Sequence, residues 1–485
     1  MATTAASVPK ETPYTFKIPF VITASAAGTA IEWYDFYLYG VLATFFSTQF
    51  FPSGDSTAAL LSSLATFGAG FAVRPFGAAF FGRIGDIVGR KFTFMVTIAI
   101  MGLSTAAVGL LPTFAQIGYV APLLLLILRL LQGLALGGEY GGAAIYVAEH
   151  SPDNKRGAYT SWIQTTATVG LLLALTVIGI VRVSMGDAAF KDYGWRLPFL
   201  LSAILVVMAL YVRLKLRETP LFTRLKNAGK ASTSPWRESF GDPANRRLIV
   251  LALLGMTAGQ AVVWYQGQFQ ALFFLQNTLQ IPFQDAYLIT GVGIALATPF
   301  FVVFGRLSDR IGRKKIVLGG CLLAAITYVP IYLAMSSFAG PGTPGSDSAG
   351  KAITLHLTPN IPAEMGLVFI QVLYVTMVYG PIAAFLVEYF PARIRYTSLS
   401  IPYHIGNGWF GGFLPLIFTA VATATGNIYA GLIYPIAIAL MSVVIGGKYI
   451  RETNKVRIWD EVGGERAGLP DAEFQGAATG GGLAG

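Results

Sequence analysis

One phrase is written twice in this chain. It reads Gly82-Arg-Ile-Gly-Asp86-Ile-Val-Gly89-Arg90-Lys91, and it returns 223 residues later as Gly305-Arg-Leu-Ser-Asp309-Arg-Ile-Gly312-Arg313-Lys314-Lys315. Each copy is a short charged loop between two long apolar runs. Val147-Ala-Glu149, Pro152 and Arg156 are echoed by Leu386-Val-Glu388, Pro391 and Arg395 at an offset of 239. Arg217-Glu218-Thr219 is echoed by Arg451-Glu452-Thr453 at an offset of 234. Loops that recur in one order at half the chain length imply two parallel halves built on one plan.

The solvent for most of the chain is lipid. Mean hydropathy is +0.61 and only 12% of residues are charged, too apolar for a water-soluble chain of 485 residues. A hydrocarbon core takes about 20 apolar residues per helix. Twelve runs meet that length, near 20–46, 58–81, 92–111, 119–148, 158–181, 195–216, 248–275, 286–304, 316–338, 364–390, 397–423 and 427–450. They divide the chain into an N-terminal tail 1–19, a first six-helix bundle 20–216, a linker 217–247, a second bundle 248–450 and a tail 451–485. Most of the 34 Lys and Arg fall in loops and tails on one side. Only Arg182, Lys191, Arg196 and Lys351 fall on the other, and Arg74 and Arg129 lie inside spans. That bias makes the rich side cytoplasmic, with both termini there. It also accounts for the net charge of +10 without nucleic acid. No cleavable signal peptide is evident. The linker reads as a solvated tether with room for a short amphipathic helix. The Gly-, Pro- and Ser-rich stretch 339–363 reads as a mostly disordered outer loop, and the tail after Lys448 as mobile.

Three further phrases narrow the reading: Glu32-Trp-Tyr-Asp35-Phe-Tyr-Leu-Tyr-Gly40, Arg74-Pro-Phe-Gly77 running into Phe81-Gly-Arg, and Arg129-Leu-Leu-Gln132-Gly133 through Gly137-Gly138-Glu139-Tyr140. With the doubled loop they resemble the major facilitator superfamily, and within it the metabolite:proton symporters. The resemblance covers residues 20–453. It implies an all-α membrane protein of twelve helices in two pseudo-symmetric six-helix bundles, in the cytoplasmic membrane. It implies proton-coupled uptake of a small organic acid by alternating access. The subfamily carries 2-oxoglutarate, citrate, shikimate and other carboxylates, and proline and betaine. A carrier of a zwitterionic solute therefore stays open as an alternative, as do a proton-driven exporter and a non-transporting sensor.

Ionisable groups inside spans are functional candidates. The first half holds Glu32, Asp35, Arg74, Arg129 and Glu139; the second has none away from its helix ends. Steps of three and four put Glu32, Asp35 and Tyr39 on one stripe, and Arg129, Gln132 and Glu139 on another. Beside Arg129, Asp35 stays ionised; without it, Asp35 takes a proton. In the sugar-porter branch, matching residues are the coupling pair. A static buried salt bridge is the alternative, and Glu32 and Glu139 are structural or part of a relay. Arg74 has no acidic neighbour in its own helix, so its guanidinium suits a ligand carboxylate; snorkelling or pairing with Glu139 is the other reading. Further substrate contacts are expected from Tyr34, Gln132, Gln260, Trp264, Tyr374, Tyr379 and Tyr403, with polar glue between helices as the alternative. His404 reads as a packed histidine rather than a relay. The repeated loops, with Gly82, Asp86, Gly89, Arg90, Asp309 and Arg313, are expected to latch the cytoplasmic side, or else merely to set topology. No Gly-x-x-x-x-Gly-Lys-Ser/Thr loop occurs, so the proton gradient and not ATP is the energy source. Three histidines and one cysteine, Cys321, leave no metal spacing, and no nucleophile–base pair suggests an enzyme. No cofactor and no obligate protein partner are expected.

Overall fold

The computed structural model describes residues 18–51, 55–87, 90–138, 140–214, 234–346 and 352–458. Glu139 and Gly89 fall outside them, and so do the side chains of the rest of the first repeated loop, including Asp86 and Arg90; Gly82 belongs to the same stretch.

Among the described residues, twelve long helices follow one another. They are α1 (Ile18–Val41), α2 (Ser56–Phe81), α3 (Arg90–Leu110), α4 (Val120–Glu149), α5 (Asp153–Met185), α6 (Arg196–Leu214), α7 (Pro243–Thr278), α8 (Phe283–Ile311), α9 (Arg313–Phe338), α10 (Ile361–Tyr389), α11 (Arg395–Thr425) and α12 (Ala430–Tyr449). The short helix Asp187–Gly194 leads into α6 across a 53° bend. Leu103, Ile180, Val207, Ile326 and Val444 stay exposed on the outer faces, which is where lipid takes the place of a protein core.

Start and stop signals are local. The Asp55 carboxylate accepts from the Thr57 amide at 2.8 Å, and Asp242 accepts from Ala244 at 2.9 Å, each satisfying an orphan donor at a helix start. Pro243 at the first turn brings α7 five residues earlier than hydropathy alone placed it. Within α7, three π-turns (Leu253–Thr257, Gln266–Gln270 and Phe274–Thr278) re-aim its polar residues.

Two expectations are corrected, and the room left for a short helix in the linker is taken up. Residues 339–363 include an antiparallel hairpin, β1 (Gly342–Ser346) with β2 (Ala352–His356). It is pinned by the His356 ring, whose Nδ1 lies 2.6 Å from the Leu279 carbonyl, and by the Asn360 amide donating to Phe338 at 2.8 Å. Gly/Pro-rich composition hid a pairing made of backbone hydrogen bonds. The end of the linker is a helix, Pro235–Gly241, docked through Ser239 and Ser398 hydroxyls 2.9 Å apart. The chain after Lys448 stays ordered to residue 458, with Ile458 fully buried.

Candidate substrate chamber and interdomain latch

Both halves send aromatic side chains to one place. Trp33 and Tyr37, one turn apart on α1, stack with centroids 5.0 Å apart, and Tyr37 stacks on Trp264 of α7 at 5.5 Å. Tyr140 of α4 and Tyr403 of α11 lie parallel at 3.4 Å. The Tyr403 and Tyr379 hydroxyls are 2.7 Å apart. Gln164 of α5 donates to the Tyr140 hydroxyl and to the Tyr379 carbonyl, both at 3.0 Å. Gln260 and Asn407 exchange amide hydrogen bonds of 3.1 and 3.2 Å.

Arg74 enters this box from α2. Its guanidinium carbon lies 5.5 Å from the Trp33 and Phe71 ring centroids and 5.9 Å from that of Tyr403. The side chain is 0% exposed, and its three guanidinium nitrogens have no hydrogen-bond partner among the described residues. A buried, unpaired charge is expensive. A ligand carboxylate would supply both the countercharge and a bidentate acceptor.

Arg129 is held differently. It donates to the Phe36 carbonyl at 3.1 Å and to Gln132 at 2.7 Å, and Gln132 donates to Thr105 at 2.9 Å. Its guanidinium lies 4.3 Å from the Phe36 ring centroid and 4.7 Å from that of Tyr39. Asp35 is buried, its Oδ1 lacks a partner, and no ion pair joins it to Arg129 among the described residues. The expected contact is absent because α1 turns its Phe36–Tyr39 face to Arg129, while Asp35 turns toward Ser202 of α6. Glu32 is buried on the same helix.

Of the residues named from sequence as substrate contacts, Arg74, Gln260, Trp264, Tyr379 and Tyr403 converge. Three do not. The Tyr34 hydroxyl donates to the Pro198 carbonyl at 2.8 Å, Gln132 is tied to Arg129, and Tyr374 accepts from Thr327 of α9 at 3.2 Å. Trp33, Tyr37, Phe71, Tyr140 and Gln164 escaped sequence reading. The i, i+4 spacing of Trp33 and Tyr37 was the one available signal, and core packing produces the same spacing. His404 is buried against the edges of Tyr140 and Tyr403, and neither ring nitrogen has a partner among the described residues.

The second copy of the repeated loop clasps the opposite half. Asp309 of α8 accepts from the Gly157 and Ala158 amides, at 2.8 and 2.9 Å, at the start of α5. A carboxylate there meets orphan donors and the positive end of the helix dipole. Arg313 pairs with Asp309 at 2.7 Å and with Glu388 of α10 at 3.0 Å; Arg156 of the first half reaches Glu388 at 2.8 Å. The tail completes the network. Glu452 accepts from the Arg313 amide at 2.7 Å, the Thr453 hydroxyl donates to Glu388 at 2.8 Å, and the Val456 carbonyl accepts from Arg156 at 3.2 Å.

Comparison with known proteins agrees with this architecture. The family described as "Sugar (and other) transporter" matches residues 20–247, and "MFS/sugar transport protein" matches 142–393. The chain belongs to the major facilitator superfamily. Its relatives are metabolite transporters, not enzymes. The Inner membrane metabolite transport protein YhjE of Escherichia coli K12 is 35% identical over 438 residues, 87% of this chain and 92% of that one. The Alpha-ketoglutarate permease of the same strain is 34% identical, covering 88% and 94%. Its Proline/betaine transporter is 31% identical, covering 89% and 83%. Among solved structures, the proton:xylose symporter XylE bound to 6-bromo-6-deoxy-D-glucose superposes with a TM-score of 0.69 at 18% identity, covering 92% of this chain and 98% of that one. That likeness concerns the fold.

Proposed function

We propose that this protein is a proton-coupled uptake carrier for a small organic acid, working by alternating access in the cytoplasmic membrane with both termini and the latch on the cytoplasmic side. The observation that carries the reading is Arg74: a buried guanidinium with no acidic partner among the described residues, inside an aromatic box built from both halves. The substrate carboxylate pairs with Arg74, and the box closes over its body. Because the box draws on α1, α2, α4 and α5 from one half and α7, α10 and α11 from the other, rocking the halves apart opens it. The latch closes the cytoplasmic side while the opposite side loads. Asp35 is the proton carrier of the first half. Its lack of an ion-pair partner among the described residues suits a group that exchanges a proton during the cycle. The name of the Alpha-ketoglutarate permease supports a carboxylate substrate.

A second reading is favoured by the walls of the box. Trp33, Tyr37 and Trp264 stack on one another here, and their faces suit a quaternary ammonium once the halves part, while Arg74 suits the carboxylate of the same zwitterion. The name of the Proline/betaine transporter supports it. Isothermal titration of the purified protein with mono-, di- and tricarboxylates, betaine and proline at two pH values separates the readings. Arg74→Ala is expected to weaken binding by one charge-assisted contact, about 1.5–3 kcal/mol, or roughly tenfold to more than a hundredfold. Unchanged affinity in a well-folded variant removes Arg74 from the site.

A further inference from the structure

The second half carries a buried carboxylate that the mechanism above does not use. Glu364 lies in the first turn of α10, on the face of the protein opposite the latch. It is 0% exposed, and neither carboxylate oxygen has a hydrogen-bond partner among the described residues. The Asn360 carbonyl accepts its amide at 3.0 Å, tying it to the base of the β1–β2 hairpin.

A line of polar groups runs inward from it. Gln371 lies seven residues further along α10, so it shares the Glu364 face two turns deeper. Its amide nitrogen contacts the Met335 sulfur of α9 at 3.6 Å, and its Oε1 has no partner among the described residues. α7 crosses α10 here: a Cβ placed on Gly267 would lie 3.1 Å from the Gln371 carbonyl. Gln266 precedes Gly267 and Gln270 lies three residues after it, both buried, each with an unpartnered Oε1 among the described residues. The Tyr332 hydroxyl of α9, facing Gln266, is also buried without a partner that meets hydrogen-bond geometry.

We propose that Glu364 is a proton-binding site of the second half, loaded from the face opposite the latch, with Gln270, Gln371, Gln266 and Tyr332 as the polar lining that leads from it toward the chamber. In the loading step a hydronium ion gives its proton to one Glu364 oxygen. One O–H bond forms, one breaks, and a water molecule leaves. The product is a neutral carboxylic acid, which suits an apolar interior where an unpaired carboxylate does not. A hard metal cation would need several oxygen ligands converging on one point; no group of three or more His, Cys, Asp or Glu does so among the described residues. Among the described residues, the neighbouring elements α7, α8, α9 and β2 bring no ion-pair partner. Tyr287 bonds the Val41 carbonyl, Tyr328 that of Val263 and His356 that of Leu279; Tyr374 on α10 itself accepts from Thr327. Asp285, in the first turn of α8, carries the same sign as Glu364.

Infrared difference spectroscopy on the whole protein in liposomes, stepped in pH in potassium chloride, tests this without knowing the substrate. The wild type is expected to show a protonated-carboxyl stretch appearing on acidification that is lost in Glu364→Gln, shifted in Glu364→Asp and retained in Asp35→Asn. If Glu364→Gln fails to fold, Glu364→Asp alone decides, by whether the band moves. Bands identical in wild type and Glu364 variants overturn the proposal. So does loss of the band when sodium replaces potassium at constant pH, which would make this a metal-cation site.

Discussion

Arg74 and Arg129 are chemically the same side chain, both buried in the first half, yet they are equipped for different work. Arg129 spends Nη1 on Phe36 and Gln132 and is packed between the Phe36 and Tyr39 rings, so it braces α4 against α1. Arg74 lies against ring faces and beside the Tyr265 and Tyr403 hydroxyls, with no carboxylate partner among the described residues. Sequence alone marked both as unusual, since a charge inside a span needs a reason. It did not say which would be satisfied internally. Asp35, without an ion-pair partner among the described residues, leads to a prediction at this scale. Asp35→Asn is expected to abolish accumulation driven by a pH gradient in proteoliposomes while leaving substrate exchange measurable, because the amide mimics the protonated acid. Full pH-driven uptake by the variant rules Asp35 out as the essential carrier.

Elements meet where side chains allow. α5 and α8 cross at Gly157 and Gly305: a Cβ on Gly305 would lie 2.6 Å from the Gly157 carbonyl oxygen and from Ser161. The first glycine of the repeated phrase is therefore a contact between halves. Gly312, at φ +114°, turns the chain from α8 into α9, in the region that favours glycine, and a Cβ there would strike the Glu452 carboxylate. Gly305→Leu is expected to leave each bundle folded but keep the α5–α8 crossing from closing. Overpacking of about 1–3 kcal/mol corresponds to roughly a 5–150-fold shift in the population of the closed arrangement. Spin labels on the latch-side ends of α5 and α8 should then report longer distances. Wild-type distances would mean that the crossing tolerates a side chain.

The whole molecule is two bundles held at one end by a charge network that neither bundle owns. Glu388 accepts from Arg313 of its own half, Arg156 of the other and Thr453 of the tail, all buried. Removing one member of a buried pair costs about 3–5 kcal/mol because the other is stranded. Glu388→Gln takes one of two carboxylates from each arginine, leaving Arg313 with Asp309 and Arg156 with Asp153, and Asp309→Asn weakens the cap on α5. Both remove free energy from the latched state alone, so the population moves toward the state open on that side. The expected result is slower uptake with modest change in intrinsic affinity and longer label distances between the two halves on the latch side. Asp86→Asn in the first copy is expected to act in the same direction. Distances unchanged in all three variants would leave the loops as topology signals only.

What the sequence determined by itself was whatever depends on composition and on chain order. The spans, the doubled plan and the bias of Lys and Arg were legible because lipid imposes a length and a hydropathy on each helix separately. Asp309 and Arg313, which join the network between the halves, were legible because duplication wrote the phrase twice. Tertiary structure decided which faces meet. Helical steps placed Asp35 and Arg129 on stripes, but the rotation of α1 against α4 and α6 comes from packing many side chains at once, and it put Phe36, not Asp35, over the arginine. The chamber gathers Trp33, Arg74 and Tyr140 from one half with Trp264, Tyr379 and Tyr403 from the other, so no local pattern could name it. The start of the tail, up to Ile458, was misread as mobile and follows the same rule, residues 459–485 lying outside the described residues: Glu452 and Thr453 are ordered by partners far away in the chain, and only the folded bundle brings those partners within hydrogen-bond reach.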